Sequence, residues 1–185
     1  MDIESSLTGH RQAVDAVAAL APAIHRAADQ LARTFETGGR VYACGNGGSA
    51  ADAQHFAAEL TGRFQADRPG FPAIALTTDT SALTSIGNDY GFERVFARQV
   101  ESLGRTGDTL LALSTSGHSP NVAAAVAAAT DRGMTTIGLL GRDGGPLATA
   151  VDHPLVVGVE ATARIQEAHI LILHLLCEAF EGGSA

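Results

Sequence analysis

The sequence predicts an α/β fold, a three-layer αβα sandwich with a five-stranded parallel sheet in the middle. Five short apolar segments alternate with helical patterns along the 185 residues. Within those segments polar and apolar positions do not alternate, which is typical of parallel strands covered by helices on both faces. An alanine- and leucine-rich segment precedes the first strand. We therefore predict a single domain over residues 1–185, with an N-terminal helical segment over residues 1–38.

The elements are predicted from apolar periodicity and from the glycines and prolines between them. Helical spacing of apolar residues predicts helices, and Pro22 marks a break in the first of them. Polar stretches that contain glycine separate strands from helices. The predicted strands are residues 41–44, 73–76, 109–113, 135–140 and 155–159. The predicted helices lie within residues 11–35, 50–60, 77–88, 95–103, 121–130 and 163–180, with a turn at residues 88–92.

The composition argues against nucleic-acid and membrane partners. The chain has 20 acidic and 12 basic residues, which give a net charge of −8, whereas a surface that binds nucleic acid needs clustered positive charge. Charged residues interrupt the apolar stretches before they reach the length of a membrane span, and we expect no signal peptide in the first residues. Cys44 and Cys177 lie in apolar segments and are interpreted as reduced thiols. We expect a cytoplasmic protein.

Two turns rich in glycine and hydroxyl side chains each follow a predicted strand and open a predicted helix. They have the sequences GNGGS at residues 45–49 and STSGHS at residues 114–119. Small residues allow a ligand to approach the backbone, hydroxyl groups donate hydrogen bonds, and the N–H groups at a helix start favour an anion. Because ligands bind at the carboxyl ends of parallel strands, both turns are expected at one site. The pattern indicates a phosphate-binding site.

An imidazole and a carboxylate follow the first turn at helical spacing. His55 and Glu59 are four residues apart and therefore share one helix face near the glycine turn. Side chains of these types serve as general acids, general bases and metal ligands. Together with the phosphate-binding turns, they indicate an enzyme that acts on a phosphorylated metabolite.

Each of these features also has a purely structural interpretation. The glycine turn alone is compatible with a tight strand-to-helix connection, and the pair of His55 and Glu59 with a solvated helix face. Further alternatives are a helix cap for His118 and Ser119, a turn contact for Asp89, an interface histidine for His169, and solvated loop charges for Arg63 and Arg68, of which Arg63 could also attract an anionic substrate.

Five runs, in order along nearly the whole chain, resemble the sugar-isomerase (SIS) domain family. The runs are CGNGGS at residues 44–49, HFAAELTGR at 55–63, GNDYGF at 87–92, STSG at 114–117 and RIQE at 164–167. The resemblance implies a flavodoxin-like sheet and a homotetramer with active sites between subunits. Within the family, the runs are most similar to the isomerases that interconvert sedoheptulose 7-phosphate and D-glycero-D-manno-heptose 7-phosphate for nucleotide-activated heptose synthesis.

The resemblance also implies the residues of the site. One zinc ion (Zn2+) per subunit is expected at His55, Glu59, Gln166 and His174. The substrate is expected to contact Asn46, Gly47, Gly48, Glu59, Asn88, Asp89, Ser114, Thr115, Ser116, Ser119 and Gln166, with the hydroxyl turn holding its phosphate. Isomerisation needs a base to remove a proton beside the carbonyl and an acid to return one, and we assign Glu59 as the base and His174 as the acid. Since a zinc-bound carboxylate loses basicity, Glu59 is expected to bind the metal loosely.

Two other functions stay open. Residues 73–79 and 82–84 are somewhat more similar to a non-catalytic branch of the family, the DnaA initiator-associating scaffold. That branch lacks the acid and base at the positions of Glu59 and His174, both of which this chain has. In addition, the motifs specify a phosphosugar better than they specify its carbon count. An isomerase or sensor for another phosphosugar is therefore the third interpretation.

Overall fold

The computed structural model describes residues 1–181, which form the predicted three-layer sandwich. Its strands are β1 (Val41–Cys44), β2 (Ala73–Ala75), β3 (Thr109–Ser114), β4 (Thr135–Gly141) and β5 (His153–Val157). They form one sheet in the order β2-β1-β3-β4-β5, and every neighbouring pair is parallel. This is the flavodoxin-like order, so the predicted fold class is confirmed.

Helices cover both faces of the sheet. They are α1 (Ile3–Ala19), α2 (Ala21–Glu36), α3 (Gly48–Thr61), α4 (Thr80–Tyr90), α5 (Ala97–Leu103), α6 (Pro120–Asp131), α7 (Leu147–Ala150) and α8 (Thr162–Glu178), with a 3-10 turn (Phe92–Arg94) before α5. None of the helices within residues 1–181 combines the length and apolar character that crossing a membrane requires.

The N-terminal segment contains two helices, and the first begins earlier than predicted. α1 begins at Ile3 rather than at residue 11 because Asp2 caps it, its Oδ1 accepting a hydrogen bond from the backbone N–H of Ser5 at 3.0 Å. The chain turns at Leu20, so the break predicted at Pro22 falls two residues earlier. Pro22 itself lies in the first turn of α2, where its missing N–H costs no helical hydrogen bond.

Several other elements differ from the prediction in their limits, and one short helix was not predicted. Residues 88–90, predicted as a turn, form the last turn of α4, which ends where Gly91 adopts a φ of 85°. β5 begins at His153, two residues before its predicted start, although Pro154 lies within it. Because β5 is an edge strand, a residue without an N–H is tolerated there. α7 has only four residues, too few for a periodic pattern to predict.

Successive side chains of the strands point to two separate cores. Ala43 and Leu111 face the core that is shared with α1, α2, α3 and α8. Tyr42 and Leu110 face the opposite core, shared with α5, α6 and α7. All six residues of β3 are buried, as its continuous apolar sequence predicts. In consequence α3 and α8 lie together on one face of the sheet, and α6 lies on the other.

Candidate active site

The first glycine turn connects β1 to α3 and is contacted by α8. Gly47 has a φ of 55°, a left-handed conformation that favours glycine. A Cβ atom on Gly48 would lie 2.3 Å from Nε2 of Gln166. The amide of Gln166 can therefore approach this backbone only because residue 48 has no side chain, and the structure brings α8 to the glycine turn.

The hydroxyl turn connects β3 to α6 and is held together by its own serines. The hydroxyl groups of Ser114 and Ser119 are 2.9 Å apart, and Ser114 Oγ accepts a hydrogen bond from the backbone N–H of Gly117 at 3.1 Å. Ser119 makes no capping bond to the amides of α6, all of which is described, so the helix-cap interpretation of its hydroxyl is wrong. The serines form a compact turn at a helix start, an arrangement suited to an anion.

The middle of the hydroxyl turn is fixed by His118 and by the end of β4. Ser116 Oγ accepts a hydrogen bond from the backbone N–H of His118 at 3.2 Å, and the ring Nδ1 of His118 lies 2.6 Å from the carbonyl oxygen of Ser116. Since a carbonyl oxygen only accepts, Nδ1 carries the proton in this contact. A Cβ atom on Gly141 would lie only 2.4 Å from the carbonyl oxygen of Thr115, so the end of β4 packs closely against the turn. The turn is therefore held by His118 from within and by β4 from outside.

A reciprocal pair of side-chain amides joins the two turns. Nδ2 of Asn46 donates to Oδ1 of Asn121 at 2.8 Å, and Nδ2 of Asn121 donates back to Oδ1 of Asn46 at 2.8 Å. Asn121 is buried at the start of α6. Sequence reasoning missed it, although its position directly after the hydroxyl turn was a usable signal. The pair confirms that the two turns lie side by side at the carboxyl ends of β1 and β3.

His55, Glu59 and His174 meet where α3 packs against α8. Nε2 of His55 lies 3.0 Å from Nε2 of His174 and 3.4 Å from Oε1 of Glu59. The side chains of His55 and Glu59 are 44% and 23% exposed, so a ligand can reach them. The assigned base and acid thus both contact one imidazole, and they do so within a single chain.

The surroundings of this cluster combine an aromatic wall with a buried carboxyl group. The ring of Phe64 lies 5.4 Å from the ring of His174. Asp52 lies one helical turn before His55, and its Oδ2 is buried without a hydrogen-bond partner among residues 1–181. Burial raises the pKa of Asp52 above its ordinary value, against the opposing effect of His55. A buried carboxyl oxygen one turn from His55 is therefore left without a hydrogen-bond partner in the described part of the chain.

Comparison with known proteins decides the family. Residues 9–141 match the family model for the SIS domain. The phosphoheptose isomerase of Helicobacter hepaticus is 55% identical to this chain over 179 residues, which are 97% of the chain and 91% of that relative. The chain belongs to the phosphoheptose isomerases of the SIS domain family. The resemblance predicted from the sequence motifs is thereby confirmed.

Two solved phosphoheptose isomerases share the fold. The enzyme of Neisseria gonorrhoeae superposes with a TM-score of 0.88 at 50% identity, covering 94% of this chain and 93% of its own. The enzyme of Francisella tularensis superposes with a TM-score of 0.94 at 43% identity, covering 98% and 97% of the two chains. The family likeness therefore extends over nearly all of the chain, including both helices of the cluster.

The four metal ligands implied by the SIS resemblance separate into two groups in this chain. Two ligand atoms on one tetrahedral zinc ion lie about 3.3 Å apart, and the separations of 3.0 and 3.4 Å around His55 fit that spacing. Gln166, however, precedes His174 by eight residues, about 12 Å along the axis of α8. In this chain the amide of Gln166 lies at Gly48, whereas His55, Glu59 and His174 contact one another further along α3 and α8. Within residues 1–181, no three His, Cys, Asp or Glu side chains have the full arrangement of a metal site.

Asn88 and Asp89 lie at the end of α4 with exposed side chains. Nδ2 of Asn88 donates to Oδ1 of Asp89 at 2.8 Å. Neither side chain hydrogen-bonds to the glycine turn or the hydroxyl turn in the described part of the chain. Their assignment to the substrate site of this SIS family member therefore stays a prediction.

Two side chains expected at a surface are buried instead. His169, interpreted as an interface histidine, is fully buried within its own chain, and this burial lowers its pKa to about 4. Arg68, interpreted as a solvated loop charge, has a side chain that is only 10% exposed and lies against Glu181. Both interpretations are wrong, since each side chain is covered by other parts of its own chain.

The two cysteines are buried, free thiols. Burial raises the pKa of Cys44 and of Cys177 to about 12. Neither thiol is therefore ionised at neutral pH, and Cys44 contributes packing rather than reactivity beside the glycine turn.

Proposed function

We propose that this protein catalyses the aldose–ketose isomerisation of sedoheptulose 7-phosphate to D-glycero-D-manno-heptose 7-phosphate. The observation that carries the proposal is the meeting of Glu59 and His174 at the imidazole of His55, in a chain whose relatives are named phosphoheptose isomerases. The relatives' names supply the substrate class. The chain's own side chains supply the acid and base that such a reaction needs.

The substrate is held at its phosphate end by the hydroxyl turn. Hydroxyl and backbone N–H groups at the start of α6 suit a phosphate dianion, which a helix N-terminus attracts. The assigned phosphate contacts are Ser114, Thr115, Ser116 and Ser119. The sugar then extends past the glycine turn toward the α3–α8 cluster, and the assigned contacts on that path are Asn46, Gly47, Gly48 and Gln166.

The isomerisation moves one proton between two neighbouring carbons. Glu59 removes a proton from C1 of the ketose, and the C–H electron pair forms the double bond between C1 and C2 of an enediolate while the C2 carbonyl oxygen takes the negative charge. His174 moves the proton between the two oxygens, and Glu59 returns its proton to C2. Atoms and electrons balance without an external oxidant or reductant, since the product is an isomer of the substrate.

We further propose one zinc ion per subunit, held by His55, Glu59 and His174, with Gln166 as the fourth ligand. The spacing of the His55 contacts to the other two side chains supports it, and imidazole and carboxylate are donors that zinc accepts. A zinc ion there would polarise the substrate oxygens and so favour loss of the neighbouring proton. Because Glu59 serves as both ligand and base, its contact with the metal has to be weak enough to leave it basic.

A homotetramer with active sites between subunits is also proposed. Its support is that Gln166 lies at the glycine turn of its own chain, apart from the cluster of His55, Glu59 and His174, which suits a fourth ligand supplied by another copy. The exposed apolar side chains of α1, Ile3, Leu7 and Val14, offer a surface for such contacts. A cytoplasmic location and a role in nucleotide-activated heptose synthesis complete the proposal, and the two buried thiols fit a reducing compartment.

Replacement of the base tests the catalytic assignment. Purified, zinc-replete protein is incubated with sedoheptulose 7-phosphate, and aldose formation is followed by NMR. We expect turnover by the unchanged protein and a loss of at least about 1,000-fold in Glu59→Gln, which keeps the shape of the side chain but cannot accept the proton. Circular dichroism and thermal unfolding serve as controls that the variant is folded.

The same assay separates the alternatives left open by the sequence. Near-normal turnover by a folded Glu59→Gln variant would overturn the assignment of the base. No turnover by the unchanged protein, together with binding to a replication initiator, would favour the scaffold function. Turnover of a phosphosugar of different carbon count but not of sedoheptulose 7-phosphate would keep the reaction class and change the substrate.

A further inference from the structure

We propose that Arg68 is a positioning residue, which ties the end of α3 to the end of α8 and so fixes the separation between Glu59 and His174. The inference rests on the proposed isomerase activity for its kinetic consequence. Arg68 lies in the loop of residues 62–72 that connects α3 to β2. Its guanidinium contacts the carboxyl-terminal end of α3 and also Glu181, which lies three residues after the end of α8. The two helices carry the assigned base and acid.

The first contact is with the last turn of α3. Nη2 of Arg68 donates to the backbone carbonyl oxygen of Glu59 at 3.0 Å, and Nη1 donates to that of Leu60 at 3.1 Å. The last carbonyl groups of a helix have no partner within the helix, and a positive charge there complements the helix dipole. Arg68 therefore stabilises the turn of α3 that bears the assigned base itself.

The second contact is with the chain just after α8. Nε of Arg68 lies 3.4 Å from Oε1 of Glu181, and the side chains of the two residues are only 10% and 12% exposed. The other carboxylate oxygen of Glu181 accepts hydrogen bonds from the backbone N–H groups of Gln65, at 3.2 Å, and Ala66. Hydrogen bonding to these amides and to Arg68 lowers the pKa of Glu181, which keeps it charged. Loss of Glu181 would leave the guanidinium of Arg68, whose side chain is only 10% exposed, without its charged partner.

The loop between these contacts carries part of the cluster wall. The guanidinium of Arg68 lies over the ring of Phe71, 4.7 Å from its centroid, and Phe64 of the same loop packs on His174. A displacement of about 1 Å in a catalytic group is sufficient to lower a rate about 100-fold. The clamp of Arg68 and Glu181 therefore acts on chemistry through the geometry of α3 and α8, without touching the substrate.

The test compares Arg68→Met, Arg68→Lys and Glu181→Gln with the control Arg33→Met. Arg33 is an exposed arginine of α2 that bonds within its own helix. We expect kcat for sedoheptulose 7-phosphate to fall 10- to 100-fold in Arg68→Met while KM changes less than about threefold, since binding contacts are retained. Arg68→Lys should recover part of kcat, because an ammonium keeps the ion pair but cannot span both helix ends. Arg33→Met should have the same kcat as the unsubstituted protein.

Two measurements separate a positioning role from simple unfolding. Activity is assayed well below the unfolding temperature of each variant, and the ring signals of His55 and His174 are recorded by NMR. A folded Arg68→Met variant with kcat within twofold of normal, or a change confined to KM, overturns the proposal. If the unchanged protein shows no turnover, the proposed function is wrong. The positioning role of Arg68 is then tested only by the NMR ring signals of His55 and His174. They should shift in Arg68→Met and not in Arg33→Met, and equal signals in the two variants would refute it.

Discussion

Gly48 determines how closely α8 approaches the first turn of the site. Its Cα lies against the amide of Gln166, a flexible group that can move, rather than against backbone. Gly117 differs, since its φ of 66° and the carbonyl oxygen of Gly144 leave no room for a side chain. A methyl group at these two positions should therefore have different effects. At position 48 it displaces the amide of Gln166, an assigned substrate contact, and at position 117 it strains the backbone of the hydroxyl turn.

We predict that Gly48→Ala lowers activity more than stability. The free energy of unfolding should change by less than about 1 kcal/mol, because a displaced amide reaches water, while kcat/KM should fall at least about tenfold. Gly117→Ala should cost about 2 kcal/mol or more in stability. Urea unfolding and the isomerase assay measure both quantities. Normal activity in Gly48→Ala would argue against any role for the position of Gln166.

Single residues were predictable where the signal was local. The spacing of His55 and Glu59 within one helix placed both side chains on the same face without further information. His174 was assigned to the site only through the family resemblance, because the apolar periodicity of α8 does not show which element packs against it. Asn121 and Arg68 were missed or misinterpreted for the same reason. Their partners are 75 residues away in one case and 113 in the other.

At the scale of elements, the site is built from two strand–turn–helix units on neighbouring strands. The units β1–α3 and β3–α6 send their helices to opposite faces of the sheet, which opens a crevice between the two turns. The amide pair of Asn46 and Asn121 bridges that crevice. It therefore sets the distance between the hydroxyl turn, to which the phosphate is assigned, and the glycine turn, which faces α8.

Removal of that bridge is predicted to loosen substrate binding. Asn121→Ala leaves the amide of Asn46 without its partner and should destabilise the fold by about 1–2 kcal/mol. It should also raise KM for the phosphosugar severalfold, because the two turns lose their fixed spacing. Gln30→Ala, which removes an amide that bonds only within α2, is the control and should leave KM unchanged. An unchanged KM in Asn121→Ala would show that the turns are spaced by the strands alone.

The elements themselves were predictable in type and order, and less so in their limits. The continuous apolar sequence of the predicted strands and their alternation with helices indicated the parallel sheet correctly. Boundaries failed where a local rule was overridden, as at Asp2, which caps a polar helix start, and at Pro154, which an edge strand tolerates. Such exceptions depend on neighbours that periodicity does not reveal.

At the scale of the whole molecule, the burial of His169 links stability to pH. Burial lowers its pKa in the folded state from 6.5 to about 4, so the unfolded chain binds the proton more readily. The stabilising effect of the neutral ring is therefore present above pH 6.5 and is lost as the pH falls toward 4. We predict that the free energy of unfolding falls by about 2 kcal/mol from this residue between pH 7 and pH 5. Urea unfolding at both values measures it, and His169→Leu should remove that part of the change. Equal pH dependence in the two proteins would contradict the prediction.

The proposed assembly predicts complementation between inactive copies. Gln166→Ala and His174→Ala should each be inactive alone. If one site takes Gln166 from one copy and His174 from another, mixed tetramers should regain about a quarter of normal activity, because each residue comes from an intact copy half of the time. Mixing is done by dissociation and reassociation, with the mass checked by light scattering. Mixed tetramers without activity would show that Gln166 and His174 of one site come from the same copy.

The two outer strands of the described sheet have a consequence for how copies of this chain can come together. β2 spans three residues, and β5 carries a proline that cannot donate to a neighbouring strand. Neither edge strand offers a long, flat row of free backbone groups to which another polypeptide could add a strand. Growth into fibrils by strand addition is thereby disfavoured, and association is left to side chains on the helical layers.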